Sequence, residues 1–143
     1  MAALAADRKL RLQGEIRRTF IAELAASTTI YAGALVAKNA AGYVVPASDT
    51  AALRVIGFAL EQVVNSGAAG AKSIQLGTGV IEFDNAGGAI VQAGKHLLCY
   101  AADDQSVSTA AAMTNDVIAG RVVDFTTTKV FVDVDPAYGG LAS

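Results

Sequence analysis

The chain has no tryptophan, one cysteine and one histidine in 143 residues, and each scarcity closes off some chemistry. A lone Cys99 cannot form an internal disulfide or a cysteine-based zinc site, and a buried free thiol suits a reducing cytoplasm. A lone His96 excludes two-histidine metal centres and leaves any nucleophile–base pair dependent on that single ring. Cys99 follows it by three positions. On a strand, an odd spacing sends two side chains to opposite faces, so a thiolate–imidazole pair is badly placed. Long apolar runs are also missing. Gly, Asp, Lys or Asn breaks each of them well short of the roughly 18 residues a membrane span needs. Asp7, Arg8, Lys9 and Arg11 stand where an export signal would place its apolar centre, so no such signal is expected.

What the chain does have is alanine, valine, glycine and threonine. Apolar types make up 53% of it, but thirty residues are Ala, so larger apolar side chains are only about a third of the chain. That is enough for one modest core and too much for a disordered chain. Fifteen Val, fourteen Gly and ten Thr lean toward short strands and tight turns. Charge is unevenly placed. Residues 1–18 carry five basic groups against Asp7 and Glu15, a net +3, whereas residues 19–143 carry six basic and eleven acidic groups, a net −5. The acidic interruptions and the lack of interleaved aromatics argue against nucleic acid, which leaves an oppositely charged protein surface as the expected partner. Neither nucleic acid nor a membrane is expected as a partner.

The organisation follows this charge split: an N-terminal arm over residues 1–26 and a β-rich body over 27–143. In the arm, Leu12, Ile16, Phe20 and Leu24 recur every four residues, as in an amphipathic helix. Gly14 and the β-branched Ile16, Thr19 and Ile21 equally suit an extended arm, and both readings stay open. Some twenty extended residues would reach about 65 Å, far enough to lie on a neighbour. In the body, strands are expected over 28–31, 34–37, 43–45, 54–64, 72–76, 80–84, 96–100, 117–125 and 130–134. Gly57 marks a bulge or a close backbone approach, and Gly77-Thr78-Gly79 reads as a turn. Thr109 to Asn115 reads as a short helix. Turn signals every 8–12 residues predict a small, mainly antiparallel β-barrel or sandwich with an extended N-terminal arm and at most one short helix.

The search for chemistry returns little. Gly67-Ala-Ala-Gly70-Ala-Lys72-Ser73 resembles a phosphate loop, but its spacing is wrong and a strand rather than a helix follows. Asp103-Asp104 and Asp133-Val-Asp135 lack the further oxygen ligands of a calcium loop and read as solvated turn charges. Glu82 and Asp84 share one strand face, yet acid–base work would need a pocket that raises one pKa. No catalytic residue, metal ligand or cofactor site is expected, and the chain reads as a non-enzyme.

The order of the elements then resembles a known family. Ile30-Tyr-Ala-Gly-Ala-Leu-Val-Ala-Lys-Asn-Ala-Ala-Gly-Tyr-Val-Val-Pro-Ala47 resembles the opening hairpin of tailed-phage head decoration (structural cement) proteins. Val55–Ala59 with Val64–Ser73, Cys99–Ser108, Ala119–Asp124 and Val130–Val134 are similar to its later strands and turns. The likeness covers about residues 15–135, and residues 84–95 and the tail after 135 are less typical. It implies a β-tulip-like, non-enzymatic protein on the outer surface of the expanded virion head, made in the host cytoplasm. Its partners would be the major capsid protein, at joints between subunits, and neighbouring copies of itself in a homotrimer or homodimer. The expected contact residues lie in the arm: Ile16, Phe20 and Ile21 as apolar anchors, with Arg8, Lys9, Arg11, Arg17 and Arg18 as charged contacts. Such an arm could add a strand to a sheet edge, and it should be mobile in the free protein. Deleting residues 1–18 is expected to abolish capsid binding and leave the body folded. The alternative function is a virion-displayed carbohydrate- or host-adhesion module using Tyr31, Tyr43, Tyr100 and Tyr138. A small hydrolase dependent on His96 is a third reading.

Overall fold

The computed structural model describes residues 3–139; residues 1–2 and 140–143, the outer ends of the expected arm and body, lie outside the described residues. The chain is mainly β, as its patterning predicts. Its strands are β1 (Arg18–Glu23), β2 (Thr28–Ile30), β3 (Leu35–Lys38), β4 (Val44–Pro46), β5 (Arg54–Ala59), β6 (Val63–Asn65), β7 (Ser73–Asn85), β8 (Leu98–Ala101), β9 (Ser106–Ser108), β10 (Ile118–Phe125) and β11 (Lys129–Val134). One short α-helix, Pro136–Gly139, is found among the described residues, and none there is long and apolar enough to cross a membrane.

β7 is the spine. Its second half pairs with β11, β11 with β10, β10 with β8, and β8 with β9. β9 returns parallel to β7, with Ser106 opposite Asp84 and Val107 opposite Asn85, and this closes a five-stranded barrel. The first half of β7 belongs to an open sheet, flanked by β1 and β5 and continued by β3 and β4. β2 and β6 form a separate pair. Two cores follow. Phe58, Ile81, Phe83, Cys99, Val107, Val122, Val130 and Val132 fill one; Leu24, Ile30, Val36, Val44, Ile74 and Leu76 fill the other. Each fully buried Phe or Ile contributes about 1.5–3 kcal/mol of apolar transfer energy.

The final hairpin follows from its letters. Val130, Val132 and Val134 share one face and are all fully buried, and Lys129 N–H donates to Thr126 Oγ1 at 3.0 Å in the turn. Gly57 sits in a bulge, where Val36 opposes Gly57 but Ala37 opposes Val55, and it also meets the Gly77 backbone closely. Three expectations fail. The strand read over 54–64 is two strands, because β5 stops at Ala59 and Val63–Asn65 turns away to pair with β2. The helix read over 109–115 reduces to a single 3-10 turn, Ala110–Ala112. Gly77-Thr78-Gly79 is no turn but the middle of the 13-residue β7. A Cβ at Gly77 would stand 3.2 Å from Ile16 Cγ2, and one at Gly79 would stand 3.1 Å from the Glu15 carbonyl oxygen. These glycines make room for the arm to cross the strand face, which is the other reason a strand carries glycine.

Candidate functional site: the arm and its seat

The arm is extended. Arg18–Glu23 pairs antiparallel with Thr78–Ser73, and Leu12 bridges Ile81 upstream of the crossing. The β-branched Thr19 and Ile21 suit this ladder better than a helix. Alternation then sorts the anchors: Ile16 and Phe20 pack against the cores, while Ile21 points outward at 71% exposure.

Arg8 is held by several contacts to the body. Its Nε donates to the Gly33 carbonyl at 2.7 Å and its Nη1 to the Glu82 carbonyl at 2.8 Å. The guanidinium lies 4.6 Å from the Phe83 ring centroid, a cation–π distance. Burial lowers its pKa from the ordinary value, and the nearby carboxylates of Asp84, Glu82 and Asp104 oppose that shift. Gly33 is required beside it: φ is +84°, and a Cβ there would lie 2.6 Å from Arg8 Cγ. Around this anchor, Arg8 N–H donates to the Ala32 carbonyl at 3.0 Å, Ala32 N–H to Asp7 Oδ1 at 2.9 Å, and Leu4 N–H to Asp104 Oδ1 at 2.8 Å.

Asp103 and Asp104 are therefore not solvated turn charges. They are buried, at 6% and 1% exposure. Burial raises the Asp104 pKa and the neighbouring Asp103 adds to the rise, while the Leu4 N–H and Arg8 counter it. Asp133 and Asp135 also have an assigned role: Arg17 Nη2 lies 2.8 Å from Asp133 Oδ1 and 3.0 Å from Asp135 Oδ2. Its hydrogen bond to Asp133 raises the Arg17 pKa. Arg18 Nη2 lies 3.8 Å from Asp135 Oδ1, and Arg11 Nε lies 3.8 Å from Glu82 Oε1. Much of the basic arm is thus neutralised by its own acidic body. The Arg11, Arg17 and Arg18 pairs are solvent-exposed, worth about 0–1 kcal/mol each. Lys9 is exposed.

The remaining candidates are scattered. His96 is exposed on a turn with φ of +69°, off any strand, while Cys99 is buried in β8. Desolvation pushes the Cys99 thiol up to about 12. Glu82 and Asp84 share a face of β7, each beside a cation, Arg11 and Lys129. The phosphate-loop look-alike is organised from within: Asn65 Nδ2 donates to the carbonyls of Ala25 and Ala68 at 2.9 and 3.0 Å, and Gly67 N–H donates to Asn65 Oδ1 at 3.0 Å. Gly70 N–H is held by the Leu24 carbonyl at 2.9 Å. The four tyrosines are half-buried and dispersed, with the Tyr138 hydroxyl donating to Asp133 Oδ2 at 2.9 Å. Among the described residues, no group of three His, Cys, Asp or Glu side chains is placed to hold a metal ion. No protein-family model matches the chain, and no curated protein matches it.

Proposed function

We propose that this chain is a non-enzymatic capsid decoration protein that binds the outside of an expanded tailed-phage head and braces joints between major capsid protein subunits. One observation supports the reading: the segments that resemble the decoration family fall, in order, on strands and hairpins on either side of β7. Residues 30–47 run from the end of β2 through the β3–β4 hairpin, residues 55–59 lie in β5, and residues 64–73 run from the end of β6 through the loop organised by Asn65 to the start of β7. Residues 99–108 are the β8–β9 hairpin, and 119–124 and 130–134 lie in β10 and β11.

The seating of the arm sharpens which residues meet the shell. Arg8, Ile16, Arg17 and Phe20 are engaged by the chain's own body, so they position the arm. Lys9, Arg11 and Arg18 remain on its exposed side and are the capsid contacts. Removing residues 1–18 would uncover both the barrel core and Arg8's seat, so it cannot test binding alone. Surface substitutions can. Wild-type protein should cosediment with undecorated expanded heads of the encoding virus, and the triple variant Lys9→Glu, Arg11→Glu, Arg18→Glu should bind at least ~10-fold more weakly with an unchanged far-ultraviolet spectrum. Wild-type protein that leaves such heads bare would overturn the proposal.

A further inference from the structure

The loop between β8 and β9 carries two consecutive carboxylates that the fold removes from water, Asp103 and Asp104. Their backbone is fixed: Asp103 Oδ1 accepts the Gln105 N–H at 2.9 Å, and the Asp104 carbonyl accepts the Leu35 N–H at 2.8 Å. Asp103 Oδ2 is buried with no hydrogen-bond partner among the described residues, and Ser106 Oγ, in the same turn, is in the same state. The start of the arm covers this pair. Leu4 N–H donates to Asp104 Oδ1, and the Leu4 side chain packs, partly buried, against the second core. The cation whose charge reaches Asp104 is Arg8. Its Nε and Nη1 donate to main-chain carbonyls and its Nη2 has no partner, so it offers the pair charge at a distance and no hydrogen bond. Asp84 and Glu82 compete for that charge, although each also has a cation of its own, Lys129 and Arg11.

We propose that Asp103 and Asp104 form a proton-controlled latch for residues 3–7: with a proton on the pair the segment lies over it, and with both carboxylates ionised the segment lifts and admits water. Two adjacent buried carboxylates ionise together only at a large cost, because each is desolvated and each repels the other. One proton removes a charge and still leaves Asp104 an oxygen for the Leu4 N–H. At higher pH the pair is relieved by rehydration, and residues 3–7 are the part of the cover that can leave. Their ties are the Leu4 N–H on Asp104 and the Ala32 N–H on Asp7 Oδ1. From Arg8 onward the arm is held by the Gly33 and Glu82 carbonyls and by the Leu12–Ile81 bridge, so lifting stops there. The direction of the Asp104 shift agrees: burial raises it most and Asp103 adds, against the Leu4 N–H and Arg8. A carboxyl raised in the seated state favours seating below the ordinary 3.8, and that contribution is lost as pH rises through the seated value. Asp7 acts with the opposite sign, since its ionised form is the stronger acceptor for the Ala32 N–H, so the direction of the response identifies the pair.

The latch involves no capsid, so its failure and that of the decoration reading are separable. A nitroxide spin label on Ala5→Cys, an exposed position, reports whether the segment is seated, and the buried Cys99 takes no label. In the full chain the ratio of mobile to immobilised label should rise at least ~3-fold between about pH 4.5 and about pH 8. Asp104→Asn keeps the oxygen that accepts the Leu4 N–H and cannot ionise, so its ratio should stay at the acid value throughout. Asp103→Asn removes the like charge and should move the midpoint of the wild-type response to lower pH. That second variant carries the test on its own should Asp104→Asn fail to fold. A ratio that is flat with pH, a ratio that falls as pH rises, or a full response retained in Asp104→Asn would overturn the proposal. An unshifted midpoint in Asp103→Asn would overturn it as well.

Discussion

Arg8 shows how a charge run can be misjudged one residue at a time. A basic side chain next to Asp7 and Lys9 reads as a solvated contact, but its guanidinium here lies between two main-chain carbonyls, over the Phe83 ring. Burying a cation is costly unless hydrogen bonds and opposite charge replace water. The two carbonyls and the carboxylates of Asp84, Glu82 and Asp104 offset part of that cost, while desolvation still lowers the Arg8 pKa and its buried Nη2 has no hydrogen-bond partner among the described residues. Gly33 makes the position available. Gly33→Ala would place a methyl 2.6 Å from Arg8 Cγ at a left-handed backbone position, and should destabilise the fold by about 2–3 kcal/mol. An unaltered midpoint in urea unfolding would show that Arg8 does not depend on that seat. The same misjudgement affected Asp103 and Asp104. Nothing in an acidic pair signals whether a distant segment will cover it, and Leu4 does so from 100 positions away.

At the scale of elements, short loops are tied by single carboxylates. Asp49 accepts the N–H groups of Thr114 and Asn115 at 2.9 and 2.8 Å, joining the loop after β4 to the one before β10. Those bonds lower its pKa from the ordinary 3.8, so this tie stabilises the fold above about pH 3.8 and is lost as pH falls through the lower folded value. Hydrogen exchange should show protection of the Thr114 and Asn115 amides declining below pH 3.8, and protection that persists well into acid would refute the tie. Asp104 has the opposite sign. Its raised folded pKa favours the fold while the carboxyl is protonated, and that contribution disappears as pH rises through the folded value. Elements whose instructions are local were legible in the letters: the β10–β11 hairpin alternates cleanly about its threonine turn, and Gly57 announced its bulge. Elements set by remote chain were not. Gly77 and Gly79 look identical whether a strand ends there or another segment passes over it, and only the position of residues 15–17 decides.

On the scale of the whole molecule, the closed barrel makes Cys99 a reporter of global opening. Its thiol is fully buried and pushed up to about 12, so at pH 8 it has neither thiolate character nor access. Labelling by an aromatic disulfide reagent should run at least ~10³-fold slower than in the denatured chain, and labelling at the denatured rate would be incompatible with a closed barrel. The strap across β7 also has a consequence for how the polypeptide is made. Arg17 meets Asp133 across 116 positions, and β1 can pair only with a strand translated after it. The arm therefore has no complete landing place until the β10–β11 hairpin has emerged from the ribosome, and it settles only after the strands that seat it.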